Sequence, residues 1–145
     1  MTLTYAVARP MLAGIFVAGG IDAIRNPEAK AKRAEQVALP IADQLHLPTD
    51  DPVTLVQVNG AVQVAAGTLL ALGKVPRLAA VALMGSLVPT TLAGHRWWDE
   101  DDQQSRAQQR IQFLKNLAVL GGLVLAATGS RRRRRATTSA QPIAG

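Results

Sequence analysis

The sequence predicts an all-α fold: a bundle of four transmembrane helices with short loops, an interfacial segment between the first and second helices, and a disordered basic C-terminal tail. Three observations predict it. Of 145 residues, 48% are hydrophobic and only 18% are charged, whereas a small soluble domain has a large surface and needs more charge to cover it. Apolar segments of about 20 residues recur, the length that crosses a hydrocarbon core about 30 Å thick at the rise of an α-helix. The apolar content is aliphatic, with aromatics at 3%, which favours closely packed helices over a β-barrel with its aromatic girdles.

The first span covers residues 3–24 and carries Arg9 and Asp22. It stops at Asn26-Pro27, where proline removes a donor and restricts the residue before it. It is too long for the apolar region of a signal peptide and no basic stretch precedes it, so a retained helix is expected. Residues 28–49 form a polar connector with Val37, Leu39, Ile41, Leu45 and Leu47 among charged neighbours. That pattern predicts an amphipathic helix or hairpin at the interface, interrupted by Pro40.

Thr49 or Asp50 caps the second span, residues 52–72, and Pro52 suits its first turn. Lys74, Pro76 and Arg77 mark a short turn. The third span covers residues 78–94 and tolerates Pro89 where neighbours satisfy the freed carbonyl. Trp97 and Trp98 sit where an aromatic belt belongs, at the membrane–water boundary. Residues 105–110 are polar and helical, leading into the fourth span, residues 111–128, which Gly129-Ser130 ends. Residues 1–130 thus form the membrane domain and 131–145 a basic tail, with 136–145 small, polar and disordered.

The chain has no cysteine, which excludes disulfides, iron–sulfur clusters, thiolate zinc sites and a redox thiol within it. Its net charge of +6 is concentrated in the tail, at Arg131, Arg132, Arg133, Arg134 and Arg135. Directly after a membrane helix, such a run stops translocation and binds anionic lipid headgroups, and is not read as a nucleic-acid site. It places both termini in the cytoplasm of a bacterial plasma membrane, with Arg9, Lys74, Arg77 and the arginine run on the inner side. All 10 acids then fall on the outer side or at the outer end of a helix.

That orientation gathers polar residues in the outer part of the bilayer: Asp22, Gln57, Asn59, Gln63, His95, Lys115 and Asn116. Asn59 and Gln63 are four apart and share a helix face. Ionisable groups at that depth need a partner or a cavity, so Asp22 and Lys115 are expected to pair. Two readings follow: an outward-opening polar pocket that takes a cofactor, or an interhelical hydrogen-bond cluster that only locks the bundle. Arg9 either snorkels to the inner interface or meets an anionic headgroup or a partner subunit. His95 has no second histidine at ligand spacing and reads as an anchor, and no metal site is expected. Small residues recur four apart at Gly14/Ala18, Ala61/Ala65, Ala82/Ser86 and Gly122/Ala126 and favour tight packing, with an oligomer left open. No phosphate loop, nucleophile elbow or catalytic carboxylate pair appears.

The arrangement resembles the DoxX family of small bacterial four-helix membrane proteins. The likeness rests on Arg9, Gly14, Phe16 and Gly20 with Asn26-Pro27, on Asn59-Gly60 and Gly67, and on Pro89-Thr90-Thr91 with His95. It continues in Gln112-Phe113-Leu114-Lys115-Asn116-Leu117 with Gly121-Gly122. The family often has a basic residue near the end of the first helix, where this chain has Asp22 and Arg25, and the arginine run lies outside its pattern. Relatives are linked to thiosulfate–quinone oxidoreduction and to membrane complexes of thiol and oxidative-stress proteins. The resemblance therefore implies a non-catalytic membrane anchor or subunit of a redox assembly, with soluble redox proteins as partners. The alternatives are a quinone-interacting oxidoreductase subunit and, third, a small-solute carrier. With no redox group in the chain, electron transfer would need a bound quinone or a partner.

Overall fold

The computed structural model describes residues 3–138, with side chains over 5–129. Five α-helices follow one another: α1 (Leu3–Arg25), α2 (Glu28–Gln44), α3 (Pro52–Ala71), α4 (Pro76–Gly94) and α5 (Gln103–Thr138), with a 3-10 turn at Trp97–Asp99 between the last two. No strand occurs among the described residues. α1, α3, α4 and α5 each contain a stretch long and apolar enough to cross a membrane. This is a multi-pass membrane bundle, and the four expected spans are present.

Sequence chemistry sets the element boundaries. Asp51, not Thr49 or Asp50, caps α3, accepting from Val53 N at 3.3 Å, Thr54 N at 2.8 Å and Thr54 Oγ1 at 2.6 Å, with Pro52 in the first turn. Gly73 ends α3 with φ 69°. Its N–H reaches the Leu70 carbonyl and that of Lys74 reaches Leu69, the paired bonds of a Schellman motif. The same pattern closes α2 around His46 at φ 51°, with His46 N on Asp43 O and Leu47 N on Ala42 O.

Two expectations need correction. Pro40 does not interrupt the connector, because α2 runs through it. Proline removes one donor and crowds one carbonyl, and here the packing of α2 across α3 and α4 outweighs that cost. Nor does Gly129-Ser130 end the last helix. Gly129 does not take the positive φ of a helix-terminating glycine, and α5 continues through the arginine run to Thr138, in keeping with the good helix propensity of arginine. The disorder predicted for the tail beyond that point lies outside the described residues.

The core sits between the four spans, where Leu70, Leu83 and Leu123 are fully buried with Phe16 beside them. The outer faces carry Met11, Leu78 and Leu125, each more than two-thirds exposed. In lipid, burying a leucine gives little hydrophobic gain, so close packing and interhelical hydrogen bonds hold the bundle. α1 and α3 approach most closely at Gly20 and Gly60. A Cβ on Gly20 would lie 2.6 Å from the Gly60 carbonyl oxygen, and one on Gly60 would lie 2.8 Å from that of Gly20. Of the small-residue pairs, Gly14/Ala18 and Ala61/Ala65 are exposed.

Candidate functional site

Where α2 crosses the bundle it roofs a cavity of about 520 Å³. α1 contributes Gly19, Asp22 and Ala23; α3 contributes Val58, Asn59, Val62 and Gln63; α4 contributes Gly85, Pro89 and Thr90, with His95 just beyond its end. The α2 side is mostly alanine and branched aliphatics, with Lys30 and Arg33 at the rim. The amphipathic pattern of α2 thus turns an apolar face onto the bundle and its charges outward.

The polar floor is one hydrogen-bond network. Ser86, 5% exposed, donates to Asn59 Oδ1 at 2.7 Å and accepts from Gln63 Nε2 at 3.0 Å. Asn59 Nδ2 donates to Thr90 Oγ1 at 3.1 Å, and Thr90 donates back to the Ser86 carbonyl at 2.8 Å. Both hydroxyl hydrogens are therefore engaged inside the network. Each amide has two N–H groups and uses one, so Asn59 and Gln63 each keep a donor, and Gln63 keeps its carbonyl oxygen.

His95 Nδ1 lies 2.8 Å from Gln109 Oε1. An amide oxygen only accepts, so in the neutral ring Nδ1 carries the hydrogen and Nε2 is left as an acceptor. At the rim Asp22 forms an ion pair with Lys30 of α2 and accepts from Asn26 Nδ2 at 2.9 Å. Arg96 of the following loop donates to Gln36 of α2. α2 is thus tied to the bundle from α1 and from the loop after α4.

These contacts divide the residues expected in a single pocket. Asp22, Asn59, Gln63 and His95 line one cavity. Lys115 and Asn116 do not. The expected Asp22–Lys115 pair is replaced by Asp22–Lys30, while Lys115 is exposed and donates to Gln112 one turn away. Depth along a helix brought the two to one height, but their azimuths differ. Asn116 is 7% exposed and donates to Thr91 Oγ1 at 3.0 Å, locking α5 to α4. Gln57, on the outside of α3, is exposed. Arg9 lies at the other end of the bundle over the Tyr5 ring at 5.1 Å, with its Nε buried and without a hydrogen-bond partner. The side chains of Arg131 to Arg135 fall outside the described residues.

Sequence reasoning missed Thr90, which lines the cavity, and Ser86, which lies buried behind it as the partner of Asn59 and Gln63. Their signal was available: they are four apart on α4, as Asn59 and Gln63 are on α3. It also missed α2 as a wall, since an amphipathic connector shows which face is apolar and not what that face covers. Among the described residues no group of three histidine or acidic side chains could hold a metal ion.

No curated protein and no solved structure matches the chain. The DoxX family model matches residues 4–96, which covers α1 through α4 and stops ahead of α5, leaving the Gln112–Leu117 segment outside the match.

Proposed function

The chain belongs to the DoxX family, and on that premise we propose that it is a membrane subunit of a redox assembly, without catalysis of its own, that holds a quinone headgroup in the α2-roofed cavity. The observation that carries this reading is the unused hydrogen-bonding capacity of Asn59 and Gln63 on an otherwise apolar wall. A quinone ring is flat and apolar with two carbonyl acceptors, and a cavity of about 520 Å³ is of the size that holds small cofactors. A bound quinone would supply the electron acceptance that a cysteine-free chain lacks. The protein's part is to orient the ring, with donors from Asn59 and Gln63, and to keep water from it beneath α2. His95, with Nε2 left over as an acceptor, lines the same cavity at its rim.

A membrane anchor that only recruits soluble redox proteins has no use for this cavity, which ranks the quinone reading ahead of it. In a bacterial plasma membrane with both termini in the cytoplasm, the cavity would lie toward the outer face, and the arginine run would meet anionic lipid on the inner one. Titrating a benzoquinone into the purified protein and following Trp97 and Trp98 fluorescence tests the site. Asn59→Ala and Gln63→Ala should each weaken binding about fivefold, one hydrogen bond's worth. Equal binding by both variants and the unsubstituted chain would remove the site, and with it the preference over a pure anchor.

A further inference from the structure

The cavity has two kinds of wall. Toward α1 it is closed, because Gly20 and Gly60 bring the α1 and α3 backbones too near for even a methyl group between them. Between α3 and α4 the wall faces both inward and outward. Val58 is 53% exposed and Val62 is 40% exposed, yet both line the cavity. Gly85 also lines it, is exposed, and would meet nothing within 4 Å if it carried a Cβ.

Depth decides what lies outside that wall. Val62 is ten residues into α3 and Gly85 nine residues before the end of α4. At 1.5 Å per residue both sit about 15 Å below the α2 end, near the middle of a hydrocarbon core about 30 Å thick. An opening at that level meets acyl chains, not water. The charged rim at Asp22, Lys30 and Arg33 faces the other way, toward the interface, and is a poor exit for a hydrocarbon tail.

We propose that the gap between Val62 of α3 and Gly85 of α4 is a lateral portal, through which a lipid-dissolved isoprenoid quinone enters the cavity and along which its tail stays in the bilayer. This rests on the quinone reading above and adds the ligand's class and its route. The head meets Asn59 and Gln63, which sit beside the portal at nearly the same depth. The absence of a side chain at position 85 keeps the gap open, and the tail contacts the exposed valines.

The test compares two probes, a tailless benzoquinone and one with a long isoprenoid tail, on the full chain in lipid nanodiscs, with tryptophan quenching as the readout. The variant is Gly85→Phe, at a position where an added Cβ meets nothing within 4 Å. Leu78→Phe, on the outer face of α4 away from the cavity, is the control. Gly85→Phe should weaken the long-tailed quinone by at least about tenfold while changing the tailless one by less than about twofold, and Leu78→Phe should change neither. Unchanged binding of both probes to Gly85→Phe overturns the portal and leaves the head site standing. Loss of both probes together overturns it too, since position 85 would then border the head. No binding of either probe to the unsubstituted chain overturns the portal and the quinone reading alike.

Discussion

Ser86 has one hydroxyl and serves two amides. It accepts from Gln63 and donates to Asn59, so Ser86→Ala leaves both side chains short of a partner where little water reaches. Interhelical hydrogen bonds in membranes contribute on average about 0.6 kcal/mol and up to about 1.7, and removing two should cost about 1–2 kcal/mol of α3–α4 stability, read as a lowered unfolding midpoint in detergent. Ser86→Thr keeps the hydroxyl and should retain most of it. Asp51 gives a pH-dependent case. The Thr54 hydroxyl and N–H, with a smaller part from the Val53 N–H, hold its carboxyl below the usual value. A lowered folded pKa means the cap is fully present above the unfolded value of about 3.9. It is lost as pH falls through the lower folded one. Helix content should therefore drop as pH falls below about 4, and Asp51→Asn should flatten that dependence; an unchanged titration would remove Asp51 as its source. The residue scale is also where sequence reasoning failed. Asp22 and Lys115 share a height, which hydropathy gives, but not an azimuth, which only packing gives. The nearer partner, Lys30, came from a connector whose path the pattern left open.

At the scale of elements, α1 and α3 are held by close backbone approach. Gly20→Ala forces a methyl against the Gly60 carbonyl oxygen and the Val64 side chain, and the backbone oxygen can yield only if the helices part. Overpacking of this kind costs about 1–3 kcal/mol, whereas Gly14→Ala, on the same helix facing open space, should be neutral or slightly stabilising. A matched pair of thermal melts decides this, and equal midpoints would mean that α1 and α3 do not approach as described. The turn into α4 holds a different strain. Val75 is β-branched and sits at φ 43°, ψ 47°, in the left-handed region that costs an ordinary L-residue about 1–2 kcal/mol. Val75→Gly should raise the melting midpoint, because the residue is 56% exposed and its side chain contributes little packing. The four spans were legible in the sequence because length and apolarity alone set them. The continuation of α2 through Pro40 was not, since a helix packed on two neighbours survives a lost hydrogen bond that local propensity counts against it.

For the whole molecule, the distribution of charge is the feature that connects fold to orientation. Every one of the 10 acids lies in the sequence at the end where α1 stops, α2 crosses, α3 starts and α4 turns into α5. The opposite end, with the α1 start, the α3–α4 turn and the α5 finish, has only cations: Arg9, Lys74, Arg77 and the arginine run. If that end is cytoplasmic, the orientation that an arginine run directly after the last span favours, then the cavity beneath α2 faces outward and any partner that exchanges electrons from the cytoplasm must do so across the bilayer. The chain has no cysteine, so single introduced thiols report orientation without background. In intact cells a membrane-impermeant maleimide should label Asp101→Cys, in the α4–α5 loop, and leave Lys74→Cys, in the α3–α4 turn, unlabelled until the membrane is opened. The reverse pattern would turn the molecule over, put the proposed quinone site on the cytoplasmic side, and make a direct soluble electron donor there the simpler arrangement. Labelling of both positions from outside would contradict α4 as a span, and with it the depth argument that places the portal in lipid.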